Sequence, residues 1–280
     1  MTTLSISEAV KSIRDLPSLP AVVIELLGNL DQEDTSTKRL GEKIAQDQAL
    51  AAKTLRLANS SFYGMQCKVT TVPQAIAILG FNSVRTLVTA AAVVGKFSGS
   101  AECNFDFQIF WRQSIATALC AKALARHKNV NQDQAFMAGL LHDIGRLVLV
   151  THSPTLYAEV AAHRTAQDCS VFEAERAILG IDHTMVGRAL AEYWKFPLPM
   201  QKAIENHHRS ETQEKGSLAS LIFMADTIAY ALDLCGDDDA MVPLVPPAVW
   251  NGLGLGKDVL MNIFKETETQ FEETCQILVP

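Results

Sequence analysis

The sequence predicts an all-α protein. Two observations carry that prediction: apolar residues recur at helical spacing along nearly the whole chain, and alternating strand-like runs bounded by turn signals are hard to find. With 280 residues and 48% apolar content, the chain can bury a real core as one large domain or two modest ones.

The first helices are short and closely spaced. "PAVVIELLGNL" (20–30) opens on a proline suited to a first turn, and "TSTKRLGEKIAQD" (35–47) starts at capping residues. "QALAAKTLRLANSSF" (48–62) carries leucines at 50, 55 and 57, and "VPQAIAILG" (72–80) and "NSVRTLVTAAAVVGKF" (82–97) follow. The small polar stretch "SGSAECN" (98–104) reads as a junction to a second unit with longer helices. These are expected at 106–127, 131–151, 153–166, 170–179, 182–195, 198–209 and 216–235. "GDDDAMVPLVPPAVWNGLGLG" (236–256), with its aspartates, prolines and glycines, reads as a loop with at most a short helix, and a last helix is expected over 256–277. The expected division is an N-terminal helical subdomain at 1–98, a second helical subdomain at 104–235, and a loop with a closing helix at 236–280. Internal repeats and low-complexity tracts are absent from the sequence.

A net charge of −7 with 20% charged residues offers no general grip on nucleic acid or on an acidic lipid surface. Proteins and small molecules are the expected partners. The six cysteines form no CxxC pair, which argues against a thiolate zinc site and a disulfide framework and for reduced thiols. The first twenty residues include acidic ones and no long apolar stretch, and no uncharged run reaches the roughly 18 residues of a membrane span. A cytoplasmic protein with no membrane partner is the expectation.

Histidines pair with acidic residues or with each other at His142–Asp143, Asp182–His183 and His207–His208. Asp182 reads as an N-cap, and His127, His152 and His163 read as solvated positions. Asp143 is harder to place in that way. "GLLHDIGRLVLV" surrounds it with apolar neighbours, and an isolated buried carboxylate needs a cation. Arg146, one turn on, supplies one if the residue is simply salt-bridged. Asp226 in "LIFMADTIAYAL" (221–232) has no basic residue within a turn on either side. If both runs are core helices of one bundle, the two carboxylates and several imidazoles share one compensating charge, which a divalent metal supplies. The ligands are nitrogen and oxygen, a set that suits iron, manganese, zinc or nickel.

"HDIG" (142–145), "GIDHTMVGRALAEYWKFPLPMQKAIENHH" (180–208) and "MADTIA" (224–229) resemble the HD superfamily of metal-dependent phosphohydrolases. "LPSLP" (16–20), "DQALAAKTLRLANSSFYG" (47–64) and "TVPQAIAILGFNSVRTLV" (71–88) are similar to one branch of it, the HDOD domain. The resemblance runs over roughly residues 14–235, with several spaced motifs in order. It implies an HD-like multi-helix bundle with an additional N-terminal helical layer. It also implies metal ligands at His142, Asp143, His183, His207, His208 and Asp226, holding one ion or, where the set has decayed, none. Arg146 falls where catalytic relatives often place a lysine near the substrate phosphate, so Arg146 and Asp143 are the catalytic residues if the chain is an enzyme.

Two departures bear on activity. The superfamily pattern expects a histidine on the preceding helix, and within "FWRQSIATALCAKALA" (110–125) that place holds Gln113. A neutral amide ligates through its carbonyl oxygen alone and more weakly than imidazole. Relatives that cleave cyclic dinucleotides carry a Gly-Tyr-Pro signature after the histidine pair, whereas "HHRSETQEKGSLAS" has none. Two readings follow. One is a regulatory module of bacterial signalling that engages a signalling protein and is tuned by a phosphorylated or nucleotide-like ligand. The other is a working phosphohydrolase on a phosphomonoester or phosphodiester, in which the metal generates hydroxide. A third reading holds no metal, with Asp143 paired to Arg146. In "RLANSSFYG" (56–64), Phe62 and Tyr63 are expected to pack against the HD-like unit.

Overall fold

The computed structural model describes residues 13, 19–28, 35–61, 63, 68–97, 105–209, 217–237 and 241–279. Every regular element among them is helical. The N-terminal layer comprises α1 (Ala21–Gly28), α2 (Thr35–Gln46), α3 (Gln48–Ala58), α4 (Val72–Leu79) and α5 (Phe81–Lys96). The second group comprises α6 (Phe107–Ala125), α7 (Gln132–Leu141), α8 (Ile144–His152), α9 (Pro154–Gln167), α10 (Val171–Leu179), α11 (His183–Tyr193), α12 (Leu198–Asn206) and α13 (Leu218–Ala231). A short α14 (Pro247–Gly252) and the long α15 (Lys257–Leu278) complete the chain. The junction expected at 98–104 lies outside the described residues, as does Phe62.

Local chemistry sets most helix starts. The side chains of Asp47, Thr71, Asp106, Asn131 and Ser217 each accept a backbone N–H of the first turn that follows them. Ser170 and Glu173 form a reciprocal capping box at α10. Asp182 caps α11, as its sequence context predicts, by accepting the N–H groups of Thr184 and Met185.

α6 is the axis of the molecule. It is buried along nearly its whole length, from Phe110 to Ala125, and packs against α7, α13 and α15. One apolar core runs from Leu26, Ile44 and Leu57 of the N-terminal layer through Trp111, Phe136 and Leu147 to Phe271 and Leu278 of α15. A second cluster, including Leu124, Ile222, Met224 and Ile263, fills the space between α6, α13 and α15. Tyr63 reaches the second group, where the Lys122 ammonium lies 4.3 Å from its ring centre. The described cysteines 120, 169, 235 and 275 are free thiols.

The long helix expected over 131–151 is two helices. α7 ends at His142, and Asp143 leaves helical geometry at φ −97° and ψ 9° before α8 begins. Apolar periodicity runs unbroken through this point, so the sequence pattern conceals the break. Tertiary packing imposes it: a β-carbon on Gly145 would stand 2.0 Å from the His183 carbonyl oxygen, so α8 lies backbone to backbone on α11. The bend directs His142 and Asp143 to one place.

Candidate metal centre

Six side chains singled out in the sequence converge between α6, α7, α8, α11, α12 and α13. His142 and Asp143 come from the α7–α8 bend, His183 from the first position of α11, His207 and His208 from the end of α12, and Asp226 from the middle of α13. His142, His183 and His207 are each 1% exposed, so every polar atom they carry needs a partner.

Hydrogen bonding assigns the ring nitrogens. His142 Nδ1 lies 2.7 Å from the Gly139 carbonyl and His207 Nδ1 lies 2.8 Å from the Ile204 carbonyl. Carbonyls only accept, so both Nδ1 atoms donate, and in a neutral ring Nε2 is then a bare lone pair. His183 Nδ1 meets the Glu175 carboxylate at 2.6 Å, with the same outcome.

These Nε2 atoms face inward on other lone pairs. Asp143 Oδ1 is 3.2 Å from His183 Nε2 and 3.3 Å from His207 Nε2, while the Nε2 atoms of His183 and His208 are 3.0 Å apart. His142 Nε2 lies 3.3 Å from Asp226 Oδ1 and 3.6 Å from Asp143 Oδ1. His142 Nε2, His207 Nε2 and Asp143 Oδ1 are buried without a hydrogen-bond partner. Such a convergence is stable only around added positive charge. Asp143, His183, His207 and His208 each offer one donor atom within 4.8 Å of the others, a nitrogen–oxygen set that fits a divalent transition ion.

The electrostatics give the same answer. Burial opposes charge on His142, but Asp143 and Asp226 outweigh it and raise the ring to about 9. Burial likewise opposes charge on His183, and Glu175 and Asp143 raise it to about 10. Burial holds His207 and His208 down, and their imidazole neighbours add to the effect. Burial would raise the Asp143 carboxyl, yet His142 and His183 hold it well below the usual range. Protons therefore supply the missing positive charge in the protein alone, and a bound cation would displace them.

Gln113 and Asp226 stand beside the four-atom group rather than in it. The Gln113 amide donates to Asp226 Oδ1 at 3.1 Å, and its carbonyl accepts the Cys235 thiol at 3.0 Å. Thr117 donates to the same Asp226 oxygen at 3.0 Å. Asp226, which has no basic neighbour in sequence, thus has one oxygen held by neutral donors from α6 and facing His142. Gln113 points its nitrogen, which cannot ligate, toward the site.

Asp143 divides its two oxygens. Oδ2 accepts from Arg146 Nη1 at 3.1 Å, the salt bridge that the sequence allows, while Oδ1 faces the histidines. Arg146 Nε also donates to the Tyr157 hydroxyl at 3.1 Å, and Tyr157 donates to Glu175 at 3.0 Å. A cavity of about 70 Å³ lies over the cluster against Asp143, His183, His208 and Asp226. A larger one of about 380 Å³ adjoins it, bounded by Phe105, Phe110, Tyr157 and Asp237. Arg146, Arg164 and Tyr230 line both. A divalent ion held at the cluster would supply Lewis acidity and lower the pKa of a bound water.

Sequence reasoning missed Glu175, Tyr157 and Thr117. Glu175 left a faint signal, since it lies four residues before the buried Leu179 on the inner face of α10. His127 and His152 are exposed and His163 is half-buried, away from the cluster.

A family model described as the HDOD domain matches residues 16–210. The chain belongs to the HDOD family. A candidate phosphohydrolase from Shewanella amazonensis SB2B has a solved structure that is similar at 29% identity and a TM-score of 0.76, over 97% of this chain and 98% of that one. An HDOD domain protein of unknown function from Geobacter sulfurreducens shares the fold at 21% identity and a TM-score of 0.77, over 98% of both chains. An uncharacterised protein of Treponema pallidum (strain Nichols) is 24% identical over 226 residues, which make up 78% of this chain and 43% of that protein. The chain thus spans less than half the length of that curated relative. Among the described residues, no helix of this HDOD chain is long and apolar enough to cross a membrane.

Proposed function

We propose that this HDOD chain is a regulatory module of cytoplasmic signalling whose metal centre, and a phosphorylated ligand beside it, tune a surface that engages a signalling protein. Gln113 is the observation that carries this reading. At the place where the superfamily pattern expects a histidine, its amide nitrogen binds Asp226 Oδ1 and engages one of that carboxylate's two oxygens outside the ligand group. What remains is Asp143 with three imidazoles, a set that can keep an ion without the wider ligand set of the catalytic pattern.

A second reading, a metal-dependent phosphohydrolase, is favoured by the adjoining cavity of about 380 Å³, which has Arg146 and Arg164 on its walls. Those guanidinium groups suit a phosphate ester. The similarity to the Shewanella candidate phosphohydrolase agrees with it.

One experiment separates the two. Iron, manganese, zinc and nickel are measured in purified wild type and Gln113→His, and both proteins are screened against phosphomonoesters and phosphodiesters. The regulatory reading expects bound metal in both and turnover in neither, or in Gln113→His alone. Metal-dependent turnover by the wild type establishes the enzyme instead.

A further inference from the structure

The three buried histidines of the cluster are not held alike. His142 and His207 donate to backbone carbonyls one turn earlier in their own segments, which are neutral acceptors. His183 donates to a carboxylate, and the same Glu175 oxygen also accepts the His183 backbone N–H at 2.8 Å. Glu175 is fully buried, at 0% exposure. Its other oxygen is satisfied by the Tyr157 hydroxyl, whose own oxygen accepts from Arg146 Nε. Arg146 in turn grips Asp143, and Asp143 Oδ1 lies 3.2 Å from His183 Nε2. The five side chains close a ring: Arg146, Tyr157, Glu175, His183, Asp143 and back to Arg146.

Two of its members, His183 and Asp143, belong to the candidate ligand group, and the other three do not. We propose that Glu175, Tyr157 and Arg146 are positioning residues of the metal centre. Glu175 holds His183 in the Nδ1–H tautomer and makes its Nε2 a stronger donor than a ring tied to a carbonyl. Tyr157 fixes the orientation of the Glu175 carboxylate, and Arg146 holds Tyr157 in place and Asp143 turned inward. The inference rests on the metal-centre reading and assigns Arg146 a role other than facing a substrate. Its Nε and Nη1 are both committed within the ring, at geometry that a planar fork provides and a lysine ammonium does not.

The test uses cobalt(II) as probe. Metal-free wild type, Glu175→Gln, Tyr157→Phe and Arg146→Lys are titrated with cobalt against a competing chelator, and the visible spectrum of the bound ion is recorded. Loss of an outer partner of a metal-bound histidine weakens binding by roughly 10–100-fold. That loss, with an altered spectrum, is expected of Tyr157→Phe and Arg146→Lys in folded metal-free protein, although Tyr157→Phe leaves a buried Glu175 oxygen without its donor and should melt lower than wild type. Arg146→Lys keeps the charge and loses the fork, so weakened binding there is a positioning effect. Glu175→Gln is expected to lose more, and if it does not fold the other two variants decide. Wild-type affinity and spectrum in both Tyr157→Phe and Arg146→Lys would overturn the network. A wild type that binds no cobalt overturns the metal-centre reading itself, and the network with it.

Discussion

The Gln113 amide donates to the Asp226 carboxylate across 3.1 Å, tying α6 to the middle of α13 inside the core. This bond engages one oxygen of the carboxylate without involving the four-atom ligand group. In Gln113→Leu, which keeps the bulk, Asp226 loses a donor and the Cys235 thiol loses its acceptor. An unmet buried polar group costs about 1–3 kcal/mol. Urea unfolding should show a loss of that order, while elemental analysis should show the metal content of the wild type. Loss of metal together with stability would place Gln113 among the ligands.

Gly145 allows α8 to rest on the first turn of α11. In Gly145→Ala the new methyl group meets the His183 carbonyl oxygen at 2.0 Å and the Gly187 nitrogen at 2.7 Å, both of them backbone atoms. One helix must move. Overpacking of this kind costs about 3 kcal/mol, the upper part of its usual range. The displaced element carries His183, so metal binding should weaken along with stability. Wild-type urea midpoints and metal content in this variant would refute the close contact.

The fold was legible because its information is local. Asp182 reads as a cap and acts as one, and the apolar spacing of each segment places the helices to within a few residues. The break at 142–143 was not legible, since "LLHDIGRLVLV" continues the apolar pattern across it and the contact at Gly145 that fixes it lies some forty residues away in sequence. The site divides in the same way. Asp143 and Asp226 stand out as carboxylates in apolar runs, a contrast visible in one dimension. Glu175 and Tyr157 sit in helices that also carry ordinary surface charge, and only the folding of α9 and α10 against α11 makes them partners of His183.

The metal-free protein should be most stable near neutral pH. Against an unfolded value of 6.5, His142 is raised to about 9 and His183 to about 10 in the fold. The stabilisation this gives is complete below 6.5 and is lost as the pH climbs through 9 to 10. His207 and His208 are lowered, so folding resists their protonation and stability falls as the pH drops below 6.5. The carboxyl of Asp143, held well below 3.8, adds a further loss at more acid pH. Melting temperatures of chelator-treated protein from pH 5 to pH 10 should trace this maximum. Added metal should flatten the alkaline side and release protons on binding. A melting temperature that rises steadily to pH 10 would contradict the assignment of charge to His142 and His183.

Asp143 and Asp226 should differ sharply as ligands. Both belong to the set that the superfamily resemblance implies, yet the geometry treats them unequally. Asp143 Oδ1 has no hydrogen-bond donor and stands within 3.3 Å of two imidazole nitrogens. Asp226 Oδ1 already accepts from Gln113 and Thr117. Asp143→Asn removes the single anionic atom of the four-atom group and should strip the protein of metal under dialysis. Asp226→Asn leaves that group intact and should retain the ion; its carbonyl oxygen can still accept from Gln113 and Thr117, and the stability lost is that of the carboxylate charge facing His142. The double change Asp143→Ala with Asp226→Ala should contain none. Elemental analysis of the three variants distinguishes the outcomes, and equal loss from both single variants would restore Asp226 to the first rank of ligands.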